Sequence, residues 1–169
     1  DIKYVAPVSG EYISLNRGAK RAITELVFLA DKEQQYKAFN APDLDNTNRD
    51  AVKNFLLESG AWTLLRQRPF NVVADPKATP SNIFVSTFDT APLAPNLNLA
   101  VAGRGDDLNA GIEALNHLTN GKVYLGLNAG DKHIASEFVN AEGCEKKYFM
   151  GKHPTGNVGV QIHHIAPIT

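Results

Sequence analysis

The spacing of apolar residues changes several times along this chain, and each change marks an expected element. Over residues 1–30 short alternating runs are separated by turn signals at Ser9-Gly10 and Asn16-Arg17-Gly18. The runs start at Ile2, Tyr12 and Ile23, which predicts three short strands with tight connections. Residues 31–49 are polar and read as a boundary or linker. Val52, Phe55, Leu56 and Leu57 then fall at helical spacing, with Asn48 or Asp50 as the first cap and Gly60 where the last cap belongs. Residues 71–80 hold two prolines and predict a loop. Ile83-Phe84-Val85 predicts a short buried strand, followed by the proline-punctuated loop FDTAPLAPN. Past the apolar run Leu99-Ala100-Val101, one helix face carries Leu108, Ile112, Leu115 and Leu118, ended by Asn120-Gly121. Val123-Tyr124-Leu125 predicts another strand, and Ile134 to Val139 a third. Val158, Ile162 and Ile165 share a face of the last helix, with Pro154 near its start. Strands alternating with helices argue for an α/β sheet with crossover helices.

Composition narrows this picture without naming a chemistry. The 169 residues suit one medium domain with a small appendage, and 43% hydrophobic content supplies a core. A formal net charge of −1 gives no overall pull toward nucleic acid. The single cysteine, Cys144, excludes a disulfide framework and an all-thiolate metal site within this chain. The sequence holds no run of about eighteen apolar residues, the length a bilayer-spanning helix needs. The chain opens without Met, and a helical pattern runs almost to its end, so it is expected to be an internal piece of a longer protein.

Candidate chemistry is sparse. GRGDD at 103–107 follows an apolar run and precedes a helix, yet position 108 is Leu where a dinucleotide fingerprint needs its third glycine, so helix capping is the favoured reading. The five histidines, His117, His133, His153, His163 and His164, show no local metal-ligand spacing. Asp75, Asp89, Asp106 and Asp107 read as caps and turns. Cys144 sits near a lysine pair that would lower its pKa, against the bland reading of a packed thiol. Gly156 and Gly159 allow close backbone approach, either to a ligand or to the sheet. The richest stretch is LLESGAWTLLRQRPF at 56–70, where Trp62, Arg66, Arg68 and Phe70 follow a helix end in quick succession. Arg66 and Arg68 would lie on one side of an extended segment and hold a carbonyl, a phosphate or a partner's carboxylates. Their bland reading is a surface ion pair worth at most about 1 kcal/mol.

Taken in order, APVSGEYISLNRGAKRAITELV, LLESGAWTLLRQRPF, IFVSTFDTAPLAPN, LTNGKVYLGLN and GKHPTGNVGVQIHHIAPI cover nearly the whole chain. Together they resemble the A-subunit family (NqrA) of the bacterial Na+-translocating NADH:quinone oxidoreductase. The resemblance implies a Rossmann-like sheet over residues 39–169, of the kind seen in the flavin-binding subunit of respiratory complex I. It also implies part of a lipoyl-like β-barrel, or hammerhead, over residues 1–38. In flavin-binding relatives a glycine-rich loop follows the equivalent of Ser59-Gly60 and cradles phosphate with its backbone. Here AWTLLRQRPF stands in that place, and its side chains would fill the space a phosphate needs.

The resemblance therefore implies a peripheral subunit on the cytoplasmic face of the bacterial inner membrane, with no cofactor of its own. NADH oxidation, the flavins and the iron–sulfur centres belong to other subunits of the complex, which reduces ubiquinone and exports Na+. The partners implied are those subunits, most of all the membrane-embedded B-subunit, and no nucleic acid. No catalytic residue and no metal ligand is expected. Trp62, Arg66, Arg68, Phe70, His153 and Gly156 are the candidate contacts with quinone or with an interface. The alternative from a different class is a free-standing flavin- or nucleotide-binding oxidoreductase domain.

Overall fold

The computed structural model describes residues 1–167; the end of the expected 39–169 domain, residues 168 and 169, lies outside them. The first regular unit is an antiparallel hairpin of β1 (Gly10–Arg17) and β2 (Ile23–Ala30). Two long strands thus replace the three short ones expected. Asn16-Arg17-Gly18 does open the reversal, but Ser9-Gly10 starts β1 instead of separating two strands. The leading residues run past the hairpin to the main body, where Ile2 packs beside Trp62 and Val5 lies against Gly60.

The linker holds only a single 3-10 turn at Leu44–Asn46 before α1 (Arg49–Glu58). The Asn48 side chain caps α1 by accepting from the Ala51 amide, and Gly60 follows at φ 78°, the left-handed conformation that glycine takes at a helix end. A 3-10 turn at Ala61–Leu64 leads into a minimal hairpin, β3 (Arg66–Gln67) with β4 (Val72–Val73). Residues 71–80, expected as loop, therefore include this short strand.

The core is a three-stranded parallel sheet in the order β5 (Ile83–Ser86), β6 (Val123–Asn128), β7 (Glu145–Phe149). Between β5 and β6 run α2 (Leu97–Val101) and α3 (Gly105–Asn116); between β6 and β7 runs α4 (Ser136–Asn140). The strand expected at 134–139 is this helix. Phe138 is buried beneath α3, and Glu137 accepts from the Gly103 amide, so tertiary contacts fix a helical turn on a β-prone sequence. The third strand is EKKYF, hidden from the hydrophobic pattern because its lysines and glutamate belong to an outer edge. β5 is half-buried along its length, where full burial was expected.

Alternation along β6 assigns the two faces of the sheet. Val123 and Leu125 pack under Ile112 of α3, together with Ala141 and Cys144. Gly126 faces the other way, onto Gln161 of α5 (Val158–Ile165). Helices α3 and α4 therefore cover one face and α5 the opposite one, over β5. Each fully buried aliphatic side chain on β6 contributes about 1.5–3 kcal/mol by leaving water. The second core cluster joins α1 to the end of α3 through Val52, Trp62 and Leu118. Among the described residues no helix is long and apolar enough to cross a membrane.

Candidate functional site

The turn after α1 is built around Trp62. Its ring is 3% exposed and packs with Val52, Leu118, Leu65 and Val73. The indole N–H donates to the Ala74 carbonyl at 2.8 Å, so burial leaves no polar atom of the ring unpaired. The indole thus lies inside the core, away from any surface a planar ligand would reach. Beyond it the β3–β4 hairpin turns outward through a cis Arg68-Pro69 bond. Arg66 Nη2 donates to the Asn71 carbonyl at 2.7 Å and braces this turn. Phe70 is 82% exposed, and Leu64 and Val72 are exposed beside it in sequence. Exposed apolar side chains this close together, with an arginine among them, have the composition of an interface.

Arg68 goes elsewhere. Its guanidinium reaches the start of α5, about 3.5 Å from where a Gly159 side chain would begin. His153 and Gly156 meet the chain leaving β5: His153 Nδ1 lies 3.3 Å from Thr90 Oγ1, and the Gly156 amide donates to that same oxygen at 3.1 Å. A Cβ at Gly156 would stand 2.6 Å from the Thr90 nitrogen and 2.8 Å from the Asp89 Cα, both backbone atoms. Gly156 is therefore a packing contact between two loops. Arg68, His153 and Gly156 all belong to the α5 side of the molecule, whereas Trp62 is sealed in the core.

Sequence reasoning missed the polar crevice outside the carboxyl ends of β5 and β6. It holds a cavity of about 230 Å³ lined by Thr87, Asp89, Asn96, Asn98, Asn128 and Asp131, among others. Asn98 ties it together, donating to Asp131 Oδ2 at 2.9 Å and accepting from the Ala135 amide at 3.0 Å. The available signal was positional: polar residues directly after two parallel strands, where open α/β sheets place their ligand crevices. On the α5 side the buried Gln161 donates to Ser86 Oγ and to the Thr155 carbonyl, pinning the carboxyl end of β5 to the 155–156 loop.

The remaining chemistry-bearing residues have structural partners. Asp75 and Asp89 cap local turns by accepting from the Lys77 and Ala91 amides. Asp106 and Asp107 lie in the first turn of α3, and Asp107 pairs with Arg104. Because GRGDD follows the helix α2 and not a strand, it lacks the strand–turn–helix context of a dinucleotide fingerprint. Cys144 is packed against the sheet; burial pushes its thiol up, and Lys146 opposes this without reversing it. His117 is bonded to the Leu44 carbonyl. Among the described residues no group of three His, Cys, Asp or Glu side chains converges as a metal site would. Among the described residues Glu145 is the one strongly shifted group: hydrogen bonds from Lys122 and Lys147 hold its carboxyl down at about 2.

Sheet, crossover helices and polar crevice define an α/β domain of the open parallel type. Residues 47–169 match the family described as the NqrA second alpha/beta domain, and the chain belongs to that family. It is 38% identical to the A-subunit of the Na(+)-translocating NADH-quinone reductase from Alcanivorax borkumensis over 172 aligned positions. It is 40% identical to the protein of that name from Shewanella amazonensis over 168, and 38% identical to that of Vibrio atlanticus over 169. These alignments take in 98–99% of this chain but 36–37% of each relative, so the chain spans a little over a third of their length.

Proposed function

We propose that this chain works as a non-redox scaffold and docking module within the NqrA component of a Na+-pumping NADH:ubiquinone reductase. On this reading residues 39–169 form a Rossmann-like domain and residues 1–38 part of a lipoyl-like barrel. The component is peripheral, on the cytoplasmic face of the bacterial inner membrane. NADH oxidation, the flavins and the iron–sulfur centres lie in other subunits, and the membrane-embedded B-subunit is the principal partner. The complex couples ubiquinone reduction to Na+ export.

The observation that carries this reading is the division of the 60–73 turn. Its largest ring, Trp62, fills the core, while Leu64, Phe70 and Val72 are turned out to solvent. A turn plugged from within offers no backbone cradle for a phosphate. Phenylalanine and arginine are among the residue types enriched at protein interfaces. Contact with the quinone head group is the sharper form of the proposal, through Arg66, Phe70 and Arg68 with the loop from His153 to Gly156. Quinone titration followed by NMR tests it: resonances of Phe70 and Arg68 shift if the head group lands there, and their constancy removes the quinone contact. Phe70→Ser is expected to weaken assembly with the membrane subunits while leaving the fold intact; unchanged assembly removes the docking role.

The polar crevice favours a second reading, a flavin- or nucleotide-binding oxidoreductase domain. The carboxylates of Asp89 and Asp131 on its wall would repel a phosphate group, which counts against it. Flavin released on denaturing the purified protein would reverse that ordering.

A further inference from the structure

Two cavities adjoin beside β5, and their walls differ in kind. The polar crevice at the carboxyl ends of β5 and β6 and an apolar groove of about 330 Å³ share Thr87 and Leu97 as lining residues. The groove is further walled by Val85, Ala100, Val101, Leu108 and the buried Phe138. Arg104 and Asp107 also line it, and they neutralise each other in an ion pair. Together the two cavities fall within the roughly 300–1,000 Å³ typical of small-molecule sites.

Hydrogen bonding decides what the crevice can accept. Asn96, Asn98 and Asn128 spend their carbonyl oxygens on the amides of Asn98, Ala135 and Gly130. Asp89 and Asp131 take the amides of Ala91 and His133 in the same way. These backbone donors are used within the protein, so an anion cannot draw on them. Among the described residues no Lys, Arg or His pairs with Asp89 or Asp131. Asp89 Oδ1 holds the Ala91 amide, and among the described residues its Oδ2 accepts no hydrogen bond. Two carboxylates without a counter-charge favour a cation and disfavour phosphate or carboxylate. Hydrogen bonds donated to such charged oxygens are also the strong ones.

We infer that crevice and groove form one binding site for a small amphiphilic amine. Its ammonium head is held in the crevice by Asp89 and Asp131, and its apolar tail lies along Val85, Val101 and Leu108. The carboxylates select the head, and the adjoining groove selects the tail. No lining residue belongs to the 60–73 turn, so Phe70→Ser leaves this binding unchanged and the docking role is tested separately. NMR titration of the purified protein with hexylammonium, set against hexanoate, 1-hexanol and methylammonium, tests the site. The side-chain amides of Asn98 and Asn128 and the methyl groups of Val85, Val101 and Leu108 are expected to shift along one saturation curve. Hexanoate, with its head charge reversed, and methylammonium, without a tail, are each expected to bind about tenfold or more weakly. Hexanoate binding as tightly as hexylammonium overturns the inference, because the apolar groove alone then accounts for the shifts. Methylammonium binding as tightly overturns it too, and fits a lysine side chain of a protein partner instead. Shifts in one cavity without the other overturn it equally. Asp89 is exposed, and Asp89→Asn keeps the oxygen that accepts from Ala91. This variant is expected to bind hexylammonium about tenfold more weakly and 1-hexanol unchanged. Ala100→Phe, at an exposed groove position, is expected to weaken hexylammonium and leave methylammonium unchanged. Native affinity for hexylammonium in either variant overturns the site.

Discussion

The β1–β2 hairpin and the β5–β6–β7 sheet are both made of alternating strands, yet they use their apolar residues in opposite ways. In the sheet, Leu125 and Leu127 of β6 are 0% exposed beneath a helix. In the hairpin, Ile23 and Leu26 are exposed and Leu29 is 62% exposed, while Tyr12 and Phe28 meet edge to face across the two strands. Two strands alone cannot bury a face, and a lone hairpin is marginal in water. Alternation is therefore a request for a covering layer, and among the described residues only the sheet has that layer. Among the described residues the hairpin's apolar face has no covering layer.

Deleting buried side chains should separate the two regions most clearly. Trp62→Ala is expected to cost about 3–5 kcal/mol in denaturant unfolding, because it empties the second core cluster. Leu125→Ala should cost about 2–5 kcal/mol, whereas Leu29→Ala should stay within about 0.5 kcal/mol. Equal losses at Leu125 and Leu29 would break the comparison, since the hairpin would then be buried in solution. Gly156→Ala forces a methyl group onto the backbone of Asp89 and Thr90, and about 1–3 kcal/mol of destabilisation is expected from that overpacking. A neutral result would mean that the 153–159 loop is free to move off the carboxyl end of β5.

The smallest effect is the pH dependence at the charged edge. The Glu145 carboxyl is held at about 2, below its ordinary value. A lowered carboxylate pKa stabilises the fold at pH values above the unfolded-state pKa, and that contribution is lost as pH falls toward the folded one. The difference in stability between the native protein and Glu145→Gln should therefore shrink as pH drops from about 4.5 to about 2. The Glu145 side chain keeps 34% of its surface in water at an outer edge, so the change should be slight and should weaken further in salt. A difference that is constant over that range would mean that the Lys122 and Lys147 contacts are not kept in solution.

Local chemistry was legible in the residues themselves. Asn48 as cap, Gly60 after the helix, the Leu108–Ile112–Leu115 face and the strands at 83–85 and 123–125 each depend on neighbours a few positions away, so composition and spacing suffice to read them. The errors fell where distant parts of the chain outweigh local preference. Residues 136–140 became helix because Phe138 had α3 to pack under and Glu137 had the Gly103 amide to meet, and EKKYF became a strand because β6 offered it an edge.

The candidate site divides along the same line. Sequence singled out Trp62, Arg66, Arg68 and Phe70 as a unit, being within nine residues of one another. Only the folded chain sent Trp62 into the core, Phe70 into solvent and Arg68 across to α5, and only it assembled Asn98, Asn128 and Asp131 from separate loops into one crevice. Sequence by itself determined which residue types are present and the period at which they recur, hence the family and those elements that local spacing fixes. Which face each residue turns to water was decided by the tertiary structure, because burial belongs to pairs of surfaces and no single segment carries its partner's position.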